Sequence, residues 1–437
     1  MDTQRIMDTV KKALAAIRKI SADKVLWIWA LAMILGLLFF KLINKDLPGM
    51  SASLVFGSWW EDELEDKTLT NLIAEFESQN PGITVQLEKM SWDEIQTSLA
   101  ETTAGNGKKR GAIDIFSVDP YAVYDLENHS YLADLENNAE SAGNAAPVVS
   151  FINPLFYNID LLKAAGFDRP PKNQTEFLSY VQRLKETGVN GAGLALDDPR
   201  SVSRQFLSWI WAAAGTPVSA GVSPGNQVSP GNPGSFNFNS KEVIETLNFL
   251  NQLKQNLYSN PFDLSETELL ESFQKGQVGM MIGSTAVIQK LKTMNINFGI
   301  TTIPAPESYS KKPVFPLTVW YAGINRQSVH QEAARKFIAF LEEKAETIAA
   351  AAYAIPGSGS RSRELSRDDP YYAKAFDMFE AGEVVRELYL SPNLSGLNNM
   401  IQREAELLFR GVKTSAQCAE ALQQGWTELA GQSPPGT

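Results

Sequence analysis

The sequence predicts an α/β fold set behind a membrane-spanning helix. Three observations carry that expectation. Strand-like and helix-like patterns alternate between Leu54 and Val118 as strand, helix, strand, helix, strand. Ahead of them, Val25 to Phe40 is an unbroken run of apolar residues and Gly. The composition is globular: 437 residues, 44% hydrophobic and 20% charged, with 30 Gly and 22 Pro, enough for two or three domains and a substantial core.

The apolar run reaches Ile43 if Lys41 snorkels, and at 1.5 Å per residue it spans roughly 24–28 Å, enough for a hydrocarbon core. Trp27 and Trp29 lie near one end, where indole rings favour the headgroup layer. The preceding residues carry Arg5, Lys11, Lys12, Arg18, Lys19 and Lys24 against Asp2, Asp8 and Asp23. This positive excess keeps the N-terminus in the cytoplasm and sends everything after residue 43 outward. Residues 1–24 thus read as a cytoplasmic segment, 25–43 as a single-pass transmembrane helix that makes the lipid bilayer a partner, and 44–53 as a linker. A cleavable signal peptide competes, but its charged lead would be long and the nearest small-x-small site, Ser51 to Ser53, lies far beyond the apolar core. A buried core helix also competes, against the uniform apolarity and the charged flanks. No Cys lies just behind the segment to carry a lipid.

Beyond the linker, Leu54 to Ser58 reads as a buried strand. Leu64, Leu69, Leu72, Ile73 and Phe76 follow at helical spacing, stopped by Asn80-Pro81-Gly82. Ile83 to Leu87 alternates like a strand, and Ser91 with Glu94 forms a capping box for a helix bearing Ile95 and Leu99. Ala112 to Val118 is a further strand, ending at Asp119-Pro120. A second block begins near Asn153, with a strand candidate ending at Asn158 and a short helix capped by Asp160 and closed by Gly166. A helix behind Asn173 ends at Gly188; Ala192 to Leu196 reads as a strand, and Ser201 opens a helix. Residues 215–239 contain a tandem repeat, Val222 to Asn226 and Val228 to Asn232, and read as an exposed insertion dispensable for the core. Helices at 240–256, 266–275 and 285–292 alternate with strands at 278–282 and 297–301. A strand at 317–324, one long helix from 329 to 349, a turn-rich joint at 355–360 and helices at 368–380, 396–410 and 414–430 complete the chain. Residues 431–437 read as a flexible tail.

Function classes are excluded by what is missing. The 50 acidic residues outnumber the 39 basic ones for a net charge of −11, which disfavours nucleic acid as a partner. Cys418 is the only cysteine, so no intrachain disulfide or Cys-cluster metal site is possible, and His129 and His330 lie too far apart in sequence to suggest a zinc site. No HExxH, GxSxG or P-loop motif occurs. Gly357 to Ser360 resembles a phosphate nest but lacks the Lys-Ser/Thr ending. The expectation is a protein without catalytic residues, metal or cofactor, although a carboxylate pair acting on a glycosidic bond leaves no sequence signature.

Several stretches, in order, resemble the extracellular solute-binding proteins of bacterial ABC importers, in the sugar-binding, maltose-binding-protein-like branch. They are Phe56 to Trp60; Leu72 to Glu77 with Asn80 to Val85; Ile113 to Asp119; Leu155 to Asn158 with Leu161 to Gly166 and Pro170-Pro171; Phe273 to Met281; and Tyr321 to Asn325 before Glu332 to Leu341. No single stretch is specific; their order across about 300 residues is. The resemblance implies a two-lobed periplasmic-binding-protein-like fold (type II, maltose-binding-like) with an interlobe cleft. It places residues 54–152 and 303–350 in lobe one and 153–302 and 351–430 in lobe two, with crossings near Asn153, Thr302 and Ile355. Lobes so joined close on a ligand by hinge rotation.

The resemblance also implies a carbohydrate ligand and ABC permease subunits in the same membrane as partners. The protein would act as a monomer anchored in the bacterial inner membrane, with its binding domain in the periplasm or outside the cell. A pyranose has apolar C–H faces for aromatic rings and a hydroxyl rim for carboxylates and amides. Residues matching the family's ligand contacts are Ser58, Trp59, Trp60 and Asp119 in lobe one. Gly283, Ser284, Trp209 and Trp211 approach from lobe two, and Trp320 and Tyr321 lie on the returning segment. Plainer readings compete: a Trp more often packs a core, and Asp119 caps the helix opening at Pro120; against the first, Trp59 and Trp60 cannot both point into one core, while Trp92, at a helix start, packs locally. A membrane-tethered sensor or scaffold that keeps the fold without transport is the alternative function.

Overall fold

The chain crosses between two β-sheets within two residues, at Asn153 and Pro154. That placement comes from a computed structural model describing residues 51–64, 67–102, 112–135, 144–215, 236–357, 369–385 and 393–429. The expected segments 1–24, 25–43 and 431–437, most of 44–53 and the repeat within 215–239 lie outside the described residues. Among those described, no helix is long and apolar enough to cross a membrane. The described residues form two units. In the smaller, residues 51–52 and 80–83, the Ala52 amide donates to the Gly82 carbonyl (3.0 Å). The larger, residues 53–79 and 84–429, holds the features described below.

The strands are β1 (Ala52–Ser58), β2 (Ile83–Lys89), β3 (Ile115–Val118), β4 (Ala145–Ile152), β5 (Leu155–Asn158), β6 (Asn190–Ala192), β7 (Val278–Ile282), β8 (Phe298–Thr301), β9 (Val314–Ile324), β10 (Ile355–Pro356) and β11 (Glu383–Val385). Among the described residues they make a seven-stranded sheet, ordered β10-β4-β9-β3-β1-β2 with β11 beside β9, and a four-stranded sheet, ordered β6-β7-β5-β8. β1 and β3 run parallel (Phe56 opposite Ile115), as a connection through helices demands. β9 returns antiparallel between β3 and β4, with Val118 opposite Tyr321 and Phe151 opposite Thr318. The result is a two-lobed α/β fold.

Local signals place most elements. Ser91 and Glu94 make the capping box of the helix Trp92–Glu101, and Asn173 accepts from the Glu176 amide to start the helix Gln174–Glu186. Gly166 (φ +91°) and Gly188 (φ +83°) turn the chain out of their helices in a conformation that side chains resist. One face of the larger sheet buries aromatic rings from distant segments: Phe56 meets Phe337 (5.6 Å), and Phe76 meets Phe337 (5.0 Å) and Phe340 (5.4 Å).

Several expectations differ from what the structure holds. Asn158, not Asp160, caps the helix Ile159–Ala164 by accepting from the Leu161 amide; Asp160 instead accepts from Asn297 (2.6 Å). The strand expected over 192–196 ends at Ala192, because the Leu196 amide turns to the Pro261 carbonyl (2.7 Å). The helix expected from 329 to 349 is two, Gln331–Glu343 and Ala345–Ala352. They break at Lys344, whose ammonium reaches Glu75 (2.6 Å). At the far edge of the supposed dispensable insertion, Phe236 and Phe238 are core residues, and Phe238 packs on Trp426 (5.5 Å). β10 and β11, inside the 351–430 stretch assigned to lobe two, pair with the seven-stranded sheet.

Candidate functional site

The C-terminal ends of β1 and β3 lie side by side in the larger sheet, and the loops leaving them carry the first cleft residues, as expected where parallel strands end. Ser58 is fully buried at the end of β1. Its hydroxyl accepts from the Trp60 amide (3.1 Å) and from the Ser117 hydroxyl (2.6 Å), which ties the two strand ends together. This turn sends Trp60 inward and Trp59 outward. Trp60 is fully buried and stacks on Trp320 of β9, centroids 5.2 Å apart and planes 6° from parallel. Trp320 also meets Phe151 (4.9 Å) and borders the cleft. Trp59 meets Trp92 edge to face at 6.2 Å, and both line the cleft.

Asp119 ends β3. One oxygen accepts from the Tyr121 amide (2.8 Å), capping the short turn that Pro120 opens, and the other lies 3.9 Å from Arg200. Burial pushes the carboxyl above its ordinary value, against the Tyr121 amide and the Arg200 and Arg204 charges, which pull it down.

The opposite wall comes from the second sheet and its helices. Arg204, on the helix Ser201–Gln205, holds Glu266 with two parallel bonds (Nε to Oε1 3.0 Å, Nη2 to Oε2 2.7 Å). Gln205 donates to the same carboxylate (3.2 Å) and to the Ile282 carbonyl (3.1 Å). Its buried Oε1 has no hydrogen-bond partner among the described residues. Arg200 pairs with Asp198 (2.8 Å); burial raises the Asp198 carboxyl, but the Arg200 hydrogen bonds outweigh it and hold the group below its ordinary value. Gly283 and Ser284 follow β7, and the Ser284 hydroxyl accepts from the Ala286 amide (3.3 Å). These walls enclose a cavity of about 1000 Å³.

Of the ten residues expected at a site, Trp59, Asp119, Gly283, Ser284 and Trp320 come together on the cavity wall. Ser58 and Trp60 lie behind it. Trp209 and Trp211 are buried in the core of the second lobe, Trp209 against Phe177 (5.0 Å) and Phe249 (5.0 Å). They sit on an almost wholly buried helix, Leu207–Ala214, where an aromatic ring has a core to fill. Tyr321 faces away from Trp320, as the alternation along β9 requires, and packs in the core that holds Phe116 and Leu132. Sequence reasoning missed Tyr121, Arg204, Gln205 and Glu266. The box formed by Ser265 and Glu268 marks the start of Glu266's helix but not the direction of its side chain.

Two α/β lobes with a deep groove of aromatic and charged side chains between them define a binding protein. The chain belongs to the bacterial extracellular solute-binding protein family, whose model matches residues 60–348. It is 26% identical over 341 residues to an Escherichia coli K12 protein named "Putative ABC transporter periplasmic-binding protein YcjN", covering 72% of this chain and 74% of that one. A Brucella abortus (strain 2308) protein named "Putative binding protein" is 22% identical over 250 residues, 53% of this chain and 58% of that one, so the chain spans little more than half of that relative. Among solved structures, the GacH receptor of Streptomyces glaucescens, studied unliganded and with acarbose, matches with a TM-score of 0.68 at 18% identity, covering 88% of this chain and all of GacH. The cyclic alpha-maltosyl-1,6-maltose binding protein of Arthrobacter globiformis matches at 0.66 and 18%, covering 87% and 99%. These likenesses concern the fold.

Proposed function

We propose that this protein is the solute-binding component of an ABC importer, capturing a sugar or oligosaccharide reversibly in the interlobe cleft and delivering it to a membrane permease. The observation that carries this reading is the composition of the cavity wall. Trp59, Trp92 and Trp320 supply apolar ring surface, while Asp119, Arg204, Gln205 and Glu266 supply hydrogen-bonding groups. Rings cover the C–H faces of a pyranose, and fixed polar groups match its hydroxyl rim; a hydroxyl buried without a partner costs about 1–3 kcal/mol. The names of the E. coli relative and of the structural neighbours point the same way. The apolar run 25–43 anchors the chain in the inner membrane in this reading, and the linker 44–53, reaching roughly 30 Å when extended, keeps the lobes outside and near the permease.

Titration of intrinsic Trp fluorescence against a panel of mono- and oligosaccharides, paired with calorimetry, tests the proposal. A saturable change with heat release from at least one sugar is expected. A flat response across the panel with no heat would overturn it.

A further inference from the structure

Tyr121 reaches directly from one wall of the cleft to the other. Tyr121 belongs to the β3 wall, two residues past Asp119. Its ring nevertheless packs against the hydrophobic core of the opposite lobe, which contains Phe206 and Trp209. Its hydroxyl donates to the Arg200 carbonyl (2.9 Å) and accepts from Arg204 Nη1 (2.8 Å), and the Arg204 guanidinium lies 5.6 Å from the ring centroid. The neighbouring Asp119 adds a charge pair to Arg200 across the same gap.

Arg204 is not at liberty to follow Tyr121 if the lobes part. Its other two nitrogens hold the Glu266 carboxylate, and Glu266 is bound in turn by Gln205, which is pinned to β7 through the Ile282 carbonyl. Separating the lobes at this point therefore breaks both hydrogen bonds of the Tyr121 hydroxyl, one of them charge-assisted, and strips the ring of its apolar cover. All of these partners are protein groups on opposite sides of one groove.

We propose that Tyr121 is a latch: a side chain of the first lobe seated in the second, biasing the pair toward closure through protein contacts alone. The functional consequence rests on the sugar-capture reading above. A larger closed fraction raises apparent affinity in proportion, because Kd falls as the competent population grows. The latch itself does not depend on which solute is bound.

Spin labels on Val329→Cys and Val412→Cys, at exposed positions on the two sides, report the lobe separation in the full-length chain in nanodiscs. The buried Cys418 stays unlabelled. With no sugar present, the parent is expected to give a short, narrow distance distribution. Tyr121→Phe, which keeps the ring and loses both hydroxyl bonds, should shift population to longer distances, and Tyr121→Ala should shift it further. Unchanged thermal melting of Tyr121→Phe checks that the fold is intact. Coincident distributions for the parent and both variants would overturn the latch. Because the readout needs no sugar, a protein that ignored the whole sugar panel would still pass or fail this test.

Discussion

Trp60 and Trp320 lie face to face, 5.2 Å apart and 6° from parallel, though 260 residues separate them. The inner ring is fully buried and the outer one borders the cleft, so the wall of the groove is backed by core packing. Trp320 is held by Trp60 on one face and by Phe151 on another side. A ring fixed in this way needs no further ordering at the edge of the groove.

That stack makes a first prediction. Trp60→Ala should destabilise the fold by about 3–5 kcal/mol, as expected when a buried ring leaves a cavity. In a double-mutant cycle with Trp320→Ala, the two losses should be non-additive, with a coupling of about 0.5–1.5 kcal/mol beyond lost area. Urea unfolding of the four proteins measures both quantities, and additive losses would show that the rings do not interact.

Trp59 and Trp209 should separate binding from folding. Trp59 is half-buried on the cavity wall, whereas Trp209 is a core residue. Trp59→Ala is expected to weaken the best sugar of the panel by roughly tenfold or more, about 1.4 kcal/mol, with little change in stability. Trp209→Ala should instead cost about 3–5 kcal/mol of stability, with the folded fraction binding as before. Calorimetry and denaturant melts on each variant decide the matter.

Asp119 gives a pH dependence. Its carboxyl is raised above the ordinary value of 3.8, chiefly by burial. In the window from 3.8 up to the raised value, the native state holds a proton that the unfolded chain has released, so stability falls as pH rises through it. At any pH above 3.8 the group is therefore a net liability to the fold. Asp119→Asn keeps a side-chain oxygen to cap the Tyr121 amide and should be more stable than the parent at pH 7. The advantage should vanish as pH falls below 3.8, where Asp119 is neutral in both states. Urea midpoints of the pair across pH follow the gap; a gap that widened on acidification would contradict the sign.

Cys418 is buried under the helix Leu394–Phe409, its thiol beside the Glu404 carbonyl (3.6 Å). Burial, and then the Glu404 charge, pushes the thiol up to about 12. The reactive species is the thiolate, so the native protein should resist a thiol reagent at pH 8 and react fully once unfolded. Prompt labelling of the native chain would place this helix pair differently.

Local chemistry was legible and distant partnership was not. The box of Ser91 with Glu94, the cap at Asn173 and the stops at Gly166 and Gly188 each act within a few residues, where one stretch of chain contains both partners. β4 carries no strand alternation in its sequence, because all eight of its residues are buried. β10 and β11 are two and three residues long and exist only through their neighbours. At the cleft, the ends of β1 and β3 were legible as places where side chains leave the sheet, yet the sequence could not say which of Trp59 and Trp60 turns outward. The Ser58 hydroxyl settles that by holding the Trp60 amide and meeting Ser117 of β3.

Residue pattern alone, through the order of strands and helices and the stretches shared with solute-binding proteins, determined the class of protein. Tertiary structure decided which side chains form the groove. Tyr121, Arg204 and Glu266 meet across separations of 62 and 83 residues. The first pairing forms within the second lobe and the second only where the two lobes meet, and short-range propensity carries no record of either.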